Sequence, residues 1–313
     1  SEMCIRDRTS GGLVLRSAGA ITQASALSGQ QISLTGSTLT LAAPITAGTL
    51  ALSASNGVSE STGSIDATLL SGNISGDATL DAAGNNIGTL VNFSDTGTLR
   101  LRDAGALSQA GSLSAGNAIL TSNGLNLSGS VLVPGTLLLA STGSVLQSGG
   151  AVSAGTLSSL GTVQGDLIMA QPGNLFPVVN NLAATGAIDL TSAAALAQTG
   201  ALSAGTVTLT SPSLALNGVL DAGGALQLNG GSTSEGGSAT ITTALLTTGA
   251  GSLSGGAVLN NGANRIDQLG NFTAGGGLAM ADATPLAVSG PVALGGTLAL
   301  WDASSITQTG GAI

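Results

Sequence analysis

Acid–base chemistry in this chain would have to run on Asp and Glu alone, since it contains no His, no Lys and no Tyr, and its single Cys is Cys4. Hydrolysis or elimination on a polysaccharide needs two groups of matched pKa within hydrogen-bond reach of one bond. The acidic residues Asp66, Asp77, Asp81, Asp95, Asp166 and Asp221 are instead dispersed. Asp77 and Asp81 are the closest pair that could share a neighbourhood, and they flank Ala78-Thr79-Leu80 as turn residues would. Zinc and copper lack imidazole and thiolate ligands. The Gly-Gly-x-Gly-x-Asp pattern of calcium solenoids is missing, and the many serines have no base to activate them. The expectation is a non-enzyme with no catalytic, cofactor-binding or metal residue.

Four smaller features have plain structural readings. Arg100 and Arg102 alternate outward on one strand, with Asp103 beside Arg102. Thr206-x-Thr208-x-Thr210 makes a threonine row in one coil that neighbouring coils do not continue. Asn73, Asn92, Asn126 and Asn271 each precede x-Ser or x-Thr, the glycan acceptor pattern, in a chain rich enough in these residues to produce it by chance. Trp301, the only Trp, falls on the outward parity of Leu298-x-Leu300.

What must position these residues is a repeat. Residues 92–115, 181–204 and 271–294 are one passage written three times. They open Asn92-Phe93, Asn181-Leu182 and Asn271-Phe272, and an earlier copy aligns Arg16 with Arg102 and Gln23 with Gln109. Inside each copy the pattern has period two, as in Val207-Thr208-Leu209-Thr210 and Leu226-Gln227-Leu228-Asn229. That places Leu on one strand face and small polar residues on the other. Apolar residues at helical spacing do not persist. Asn56-Gly57, Asn123-Gly124, Asn217-Gly218 and Asn261-Gly262 punctuate the strands with residues that accept positive φ.

Three short strands and three turns would close one coil of a right-handed parallel β-helix, an all-β β-solenoid. The coils predicted between residues 98 and 155 are 98–117, 118–135 and 136–155, or 18–20 residues each, within super-repeats of 86–90 residues. Each super-repeat then holds four to five coils, and residues 9–313 form one continuous solenoid region cut at both ends.

Composition agrees. Hydrophobic residues are 42% but aromatics only 1%, so the interior must be thin and aliphatic. Charged residues are 7%, against about 25% in ordinary soluble domains. The net charge of −9 and the scarcity of Arg argue against nucleic acid as a partner. No apolar run reaches the roughly 18 residues of a spanning helix, and a membrane barrel would need aromatic girdles, so the chain is not expected to be transmembrane. Residues 1–8, SEMCIRDR, hold four charges and resemble a translated sequencing adapter rather than native sequence.

The alternating Leu with Gly-Thr-Leu, Leu-Ser-Ala-Gly, and Asn-x-Ile-x-x-Leu-x-Asn-Phe at 85–93 and 264–272 resemble the passenger regions of filamentous-haemagglutinin-like exoproteins and autotransporter adhesins. The resemblance covers Leu13 to Ile313. It implies a Gram-negative bacterial source, an extracellular or outer-surface location, and a structural shaft of an adhesin. The implied partners are an outer-membrane translocator during export and host-cell or matrix surface ligands. A polysaccharide-acting β-helix enzyme and a passive surface-layer or biofilm-matrix protein are the alternatives.

Overall fold

The computed structural model describes residues 8–313, with side chains from residue 11 onward. The reading of residues 1–8 as foreign sequence lies outside that description, apart from the backbone of Arg8. Every regular element among the described residues is a β-strand. The chain divides into two compact units, residues up to Gly155 and residues from Thr156 onward. Each is a parallel β-solenoid in which a strand pairs with its counterpart one coil earlier and one coil later.

In the first unit the alternation decides what faces inward. Along Ile45–Ala54 the side chains of Ile45, Ala47, Leu50, Leu52 and Ala54 are buried. The adjacent Gly48 and Thr49 both miss the interior, and this slip of parity is the corner between two faces. Ile45 stacks between Leu27 and Ile65, and Leu50 between Ile32 and Leu70. The predicted coils between 98 and 155 are found, since Leu99 pairs with Ala118 and Ala118 with Leu137. Each fully buried Leu, Ile or Val in such a column contributes roughly 1.5–3 kcal/mol. A coil with no neighbour would forfeit that burial, so stacking and folding are one event.

Both units depart from the expected three separated strands, with Ile45–Ala54 crossing one corner in the first and a longer strand crossing two in the second. Leu202–Leu216 is one strand of 15 residues whose buried residues trace all three faces of a coil. It bends at Gly205-Thr206 and at Pro212-Ser213, and it pairs with Val219–Glu235 almost throughout. Corners this tight need no turn. Where they cost space, glycine answers. Gly230 has φ of 107°, and a Cβ on Gly231 would collide with the Pro212 carbonyl of the preceding coil.

Columns also begin and end. In the first unit the column Leu27, Ile45, Ile65 continues one coil later only through the short pairing of Asp66-Ala67 with Asn86-Ile87. In the second unit Leu202, Leu220 and Ile241 stack in turn, and their face continues one coil further only through the pairing of Thr242-Thr243 with Arg265-Ile266. A new face opens meanwhile at Phe272–Ala274, which pairs with Val292–Leu294. Copies of the super-repeat therefore need not fall on the same face. Ile188 stacks through Val207, Leu226 and Leu246 to Leu269, four coils on. Its counterpart Leu278 lies two faces beyond that point, in the column of Leu298. The expected four to five coils are thus four and two further faces.

Candidate functional site

The outward residues are arranged as the alternation implied. Asp77 and Asp81 are exposed and flank Ala78–Leu80, and Asp77 Oδ1 accepts the Thr98 amide one coil later at 2.8 Å. Asn117 Oδ1 does the same for the Thr136 amide at 2.9 Å, and Asp166 Oδ1 for the Ala187 amide at 2.8 Å. These side chains bracket corners rather than face a common substrate position. Asp66 Oδ1 accepts from Asn86 Nδ2 at 3.0 Å, beside a shallow outer groove of Ser28, Gln30, Thr46 and Thr68. Asp221 is exposed on its strand. No group of three His, Cys, Asp or Glu able to hold a metal ion occurs among the described residues.

Arg100 and Arg102 are exposed, as predicted. Asp103, beside Arg102, is buried, and its Oδ1 accepts the Ile87 amide at 2.7 Å. Thr206, Thr208 and Thr210 stand in register with Ala187, Asp189 and Thr191 on one side and Ala225, Gln227 and Asn229 on the other, so the threonine row stops after one coil. Trp301 is 58% exposed and outward. Asn92 adopts φ of 49°, and its Oδ1 accepts the Ser112 amide at 3.2 Å. Asn181, its counterpart, adopts 48° and receives the Ala201 amide at 3.1 Å. Asn tolerates this left-handed conformation better than other residues with a Cβ. Asn126 Oδ1 accepts from Ser148 Oγ at 2.8 Å, and Asn271 Nδ2 donates to the Gly249 carbonyl at 2.8 Å.

The most specific chemistry is buried, and the sequence reading missed it. Gln23, Gln109 and Gln198 occupy inward positions, Gln23 and Gln198 at the end of short strands and Gln109 as the third residue of Leu107–Ser114. Gln109 Oε1 accepts the Gly129 amide at 3.2 Å, while its Nε2 donates to the carbonyls of Gly111 and Ser130, both at 3.4 Å. Gln198 Oε1 accepts the Gly218 amide at 3.0 Å, and its Nε2 donates to the carbonyls of Gly200 and Val219, the latter at 3.1 Å. Gln23 Oε1 accepts the Ala43 amide at 3.2 Å and its Nε2 donates to Ser25 at 2.7 Å. Each carboxamide fastens its own corner to the next coil.

A second set marks where columns end. Asn85, Asn174 and Asn264 are fully buried. Each donates Nδ2 back across its turn, to the carbonyls of Leu80, Met169 and Leu259, at 3.2, 3.1 and 3.4 Å. Two residues on, the amides of Ile87, Phe176 and Ile266 meet no strand of the following coil. They donate instead to Asp103 Oδ1, Ser192 Oγ and Asp282 Oδ1, at 2.7, 3.0 and 3.2 Å. Buried backbone groups must be paired, and here side chains take over from carbonyls. The Ile45 amide still uses the Ser64 carbonyl, whereas the Ile65 and Ile241 amides use Asn85 Oδ1 and Asn264 Oδ1, at 2.7 and 2.8 Å.

Two glutamates complete the arrangement. Glu60 Oε2 accepts from Asn85 Nδ2 at 2.8 Å and from the Ala82 amide at 3.0 Å. Glu235 Oε2 accepts from Asn264 Nδ2 at 3.0 Å and from the Asn261 amide at 2.9 Å. In both, Oε1 is buried without a hydrogen-bond partner. Burial raises the pKa of both carboxyls above the ordinary glutamate range, against the pull of these hydrogen bonds, and Asp81 adds to the rise at Glu60. Burial likewise raises Asp95, Asp103, Asp189 and Asp282.

Fold and site together define a β-solenoid repeat protein whose specific polar groups serve the stacking of its coils. Residues 115–183 match a family described as repeats of unknown function (DUF5649). No curated protein and no solved structure matches the chain. Among the described residues no helix is long and apolar enough to cross a membrane.

Proposed function

We propose that this chain is a shaft segment of a secreted or surface-displayed bacterial adhesin, of the filamentous-haemagglutinin-like or autotransporter type. The observation that carries this reading is that the hydrogen-bonding polar side chains of greatest specificity point inward and hold coils together. Among the described residues the outer faces carry scattered Ser, Thr, Asn and Asp. A shaft of this kind would be exported through an outer-membrane translocator and would meet host-cell or matrix ligands through weak contacts repeated along its faces, gaining strength by multiplicity. The motifs at 85–93 and 264–272 support the family assignment by resemblance.

The test is binding of bead-displayed chain to cell and matrix surfaces as whole coils are removed. Adhesion should fall gradually, with no single substitution abolishing it. Turnover of a pectin-like polysaccharide that disappears in Asp77→Asn or Asp81→Asn would replace this reading with an enzymatic one. Absence of binding by the intact chain to any surface would favour a passive matrix protein.

A further inference from the structure

The paired sites at Glu60–Asn85 and Glu235–Asn264 do more than fill a corner. Each carboxyl enters the interior where a column is about to end. Its Oε2 accepts from the Asn Nδ2, and the Oδ1 of the same Asn accepts the backbone amide of Ile65 or Ile241. The ending column therefore hangs on the carboxyl through one carboxamide. The neighbours offer no compensating charge. Glu60 stands in register with Leu41, and its turn presents Asp81, which is negative. Glu235 stands in register with Leu216, and its turn presents the neutral Asn261 and Asn264. The next carboxylates along, Asp103 and Asp282, are committed to the amides of Ile87 and Ile266. An ionised carboxylate with one oxygen sealed and unpartnered is far costlier than a neutral carboxyl in the same place.

We infer that these two sites are proton-operated clasps: a neutral Glu60 or Glu235 holds the terminating column closed, and ionisation of that carboxyl loosens it. The raised pKa values agree in sign. A folded chain that keeps protons the unfolded chain has released is stabilised at low pH. That contribution is complete below the unfolded glutamate value of about 4.3, and it is lost as pH rises through the folded value. Acidic surroundings would then tighten each unit at one point. This inference is independent of the adhesin reading, because it concerns how the coils are held and not what they bind.

The chain has only three glutamates, Glu2, Glu60 and Glu235, so selective 13C labelling of the glutamate carboxyl in the full chain gives three titrating signals. Glu60→Gln and Glu235→Gln assign two of them. Both assigned signals should titrate above the ordinary value. Hydrogen exchange at the Ile65 and Ile241 amides, corrected for intrinsic rates, should slow several-fold as pH falls through those midpoints. The Ile45 amide, which uses a backbone carbonyl, should not follow. The Gln variants, with a neutral amide of the same shape, should hold their own corner equally closed across the range. Titration of Glu60 and Glu235 at or below the ordinary value would overturn the inference. So would Ile65 and Ile241 protection that ignores their ionisation.

Discussion

Replacing Gln198 with Ala removes one side chain and strands three backbone groups. The Gly218 amide loses its acceptor, and the carbonyls of Gly200 and Val219 lose their donor. A buried polar group left without a partner costs about 1–3 kcal/mol. Gly200 and Gly218 are half-buried and Val219 is exposed, so water can reach part of the wound and the lower figure applies. Three groups then cost about 3 kcal/mol, and the lost burial of a methylene adds roughly 0.8 kcal/mol. With a urea slope of about 2 kcal/mol per molar, the midpoint should fall by nearly 2 M. The matching control is Gln164→Ala, because that side chain is exposed and bonds only to the nearby Thr162 carbonyl. It should stay within about 0.5 kcal/mol of the parent. Hydrogen exchange adds a local readout, since the Gly218 amide should lose protection in the first variant and keep it in the second. Equal midpoints for the two variants would refute the claim that these glutamines bind coil to coil.

Leu209→Asp should unfold the second unit far more readily than Thr208→Asp, because Leu209 is buried and Thr208 faces outward and an unpaired buried charge is expensive; similar denaturant midpoints would mean the facing is inverted. A Cβ on Gly72 would run into the Phe93 ring, so Gly72→Ala should cost about 1–3 kcal/mol by overpacking. Part of that loss should return when Phe93→Leu is added, and a double-mutant cycle showing no coupling would contradict the contact. Ser192 takes the place of Asp103 in another copy of the repeat. Asp103→Ser should therefore be milder in a urea melt than Asp103→Ala, which leaves the Ile87 amide bare at a cost of about 1–3 kcal/mol.

Much of the fold could be read from residue order because one rule, apolar inward and small polar outward, holds over long stretches. The facing of Leu209, the outward Trp301 and the coils from 98 to 155 all follow from parity alone. The buried polar set was visible only as recurrence. Gln23 and Gln109 aligned, and the Asn85 and Asn264 passages matched, but nothing in a binary pattern says that a carboxamide may sit inside. The signal was present in the parity of Ile21-x-Gln23, Leu107-x-Gln109 and Leu196-x-Gln198, where Gln stands where Leu would. Asp103 was noted only as a neighbour of Arg102, whereas its side chain serves the Ile87 amide, 16 residues earlier in the chain. Corners without turns were present as the recurring Gly-Thr of Gly48-Thr49 and Gly205-Thr206, a pair that does not by itself say that the strand bends without a turn.

The passage of the super-repeat from one face to another bears on how such a gene can grow. In the second unit, Ile188 and Leu278 hold the same place in their copies yet stand in different columns, because a copy spans four coils and two faces. Tandem duplication of that module lengthens the solenoid while rotating each new copy by two thirds of a turn, so the same outward sequence points in a new direction every time. A lengthening array would return a given surface to its original bearing only after three modules, and mutation in one copy would alter one compass direction while its siblings keep the others.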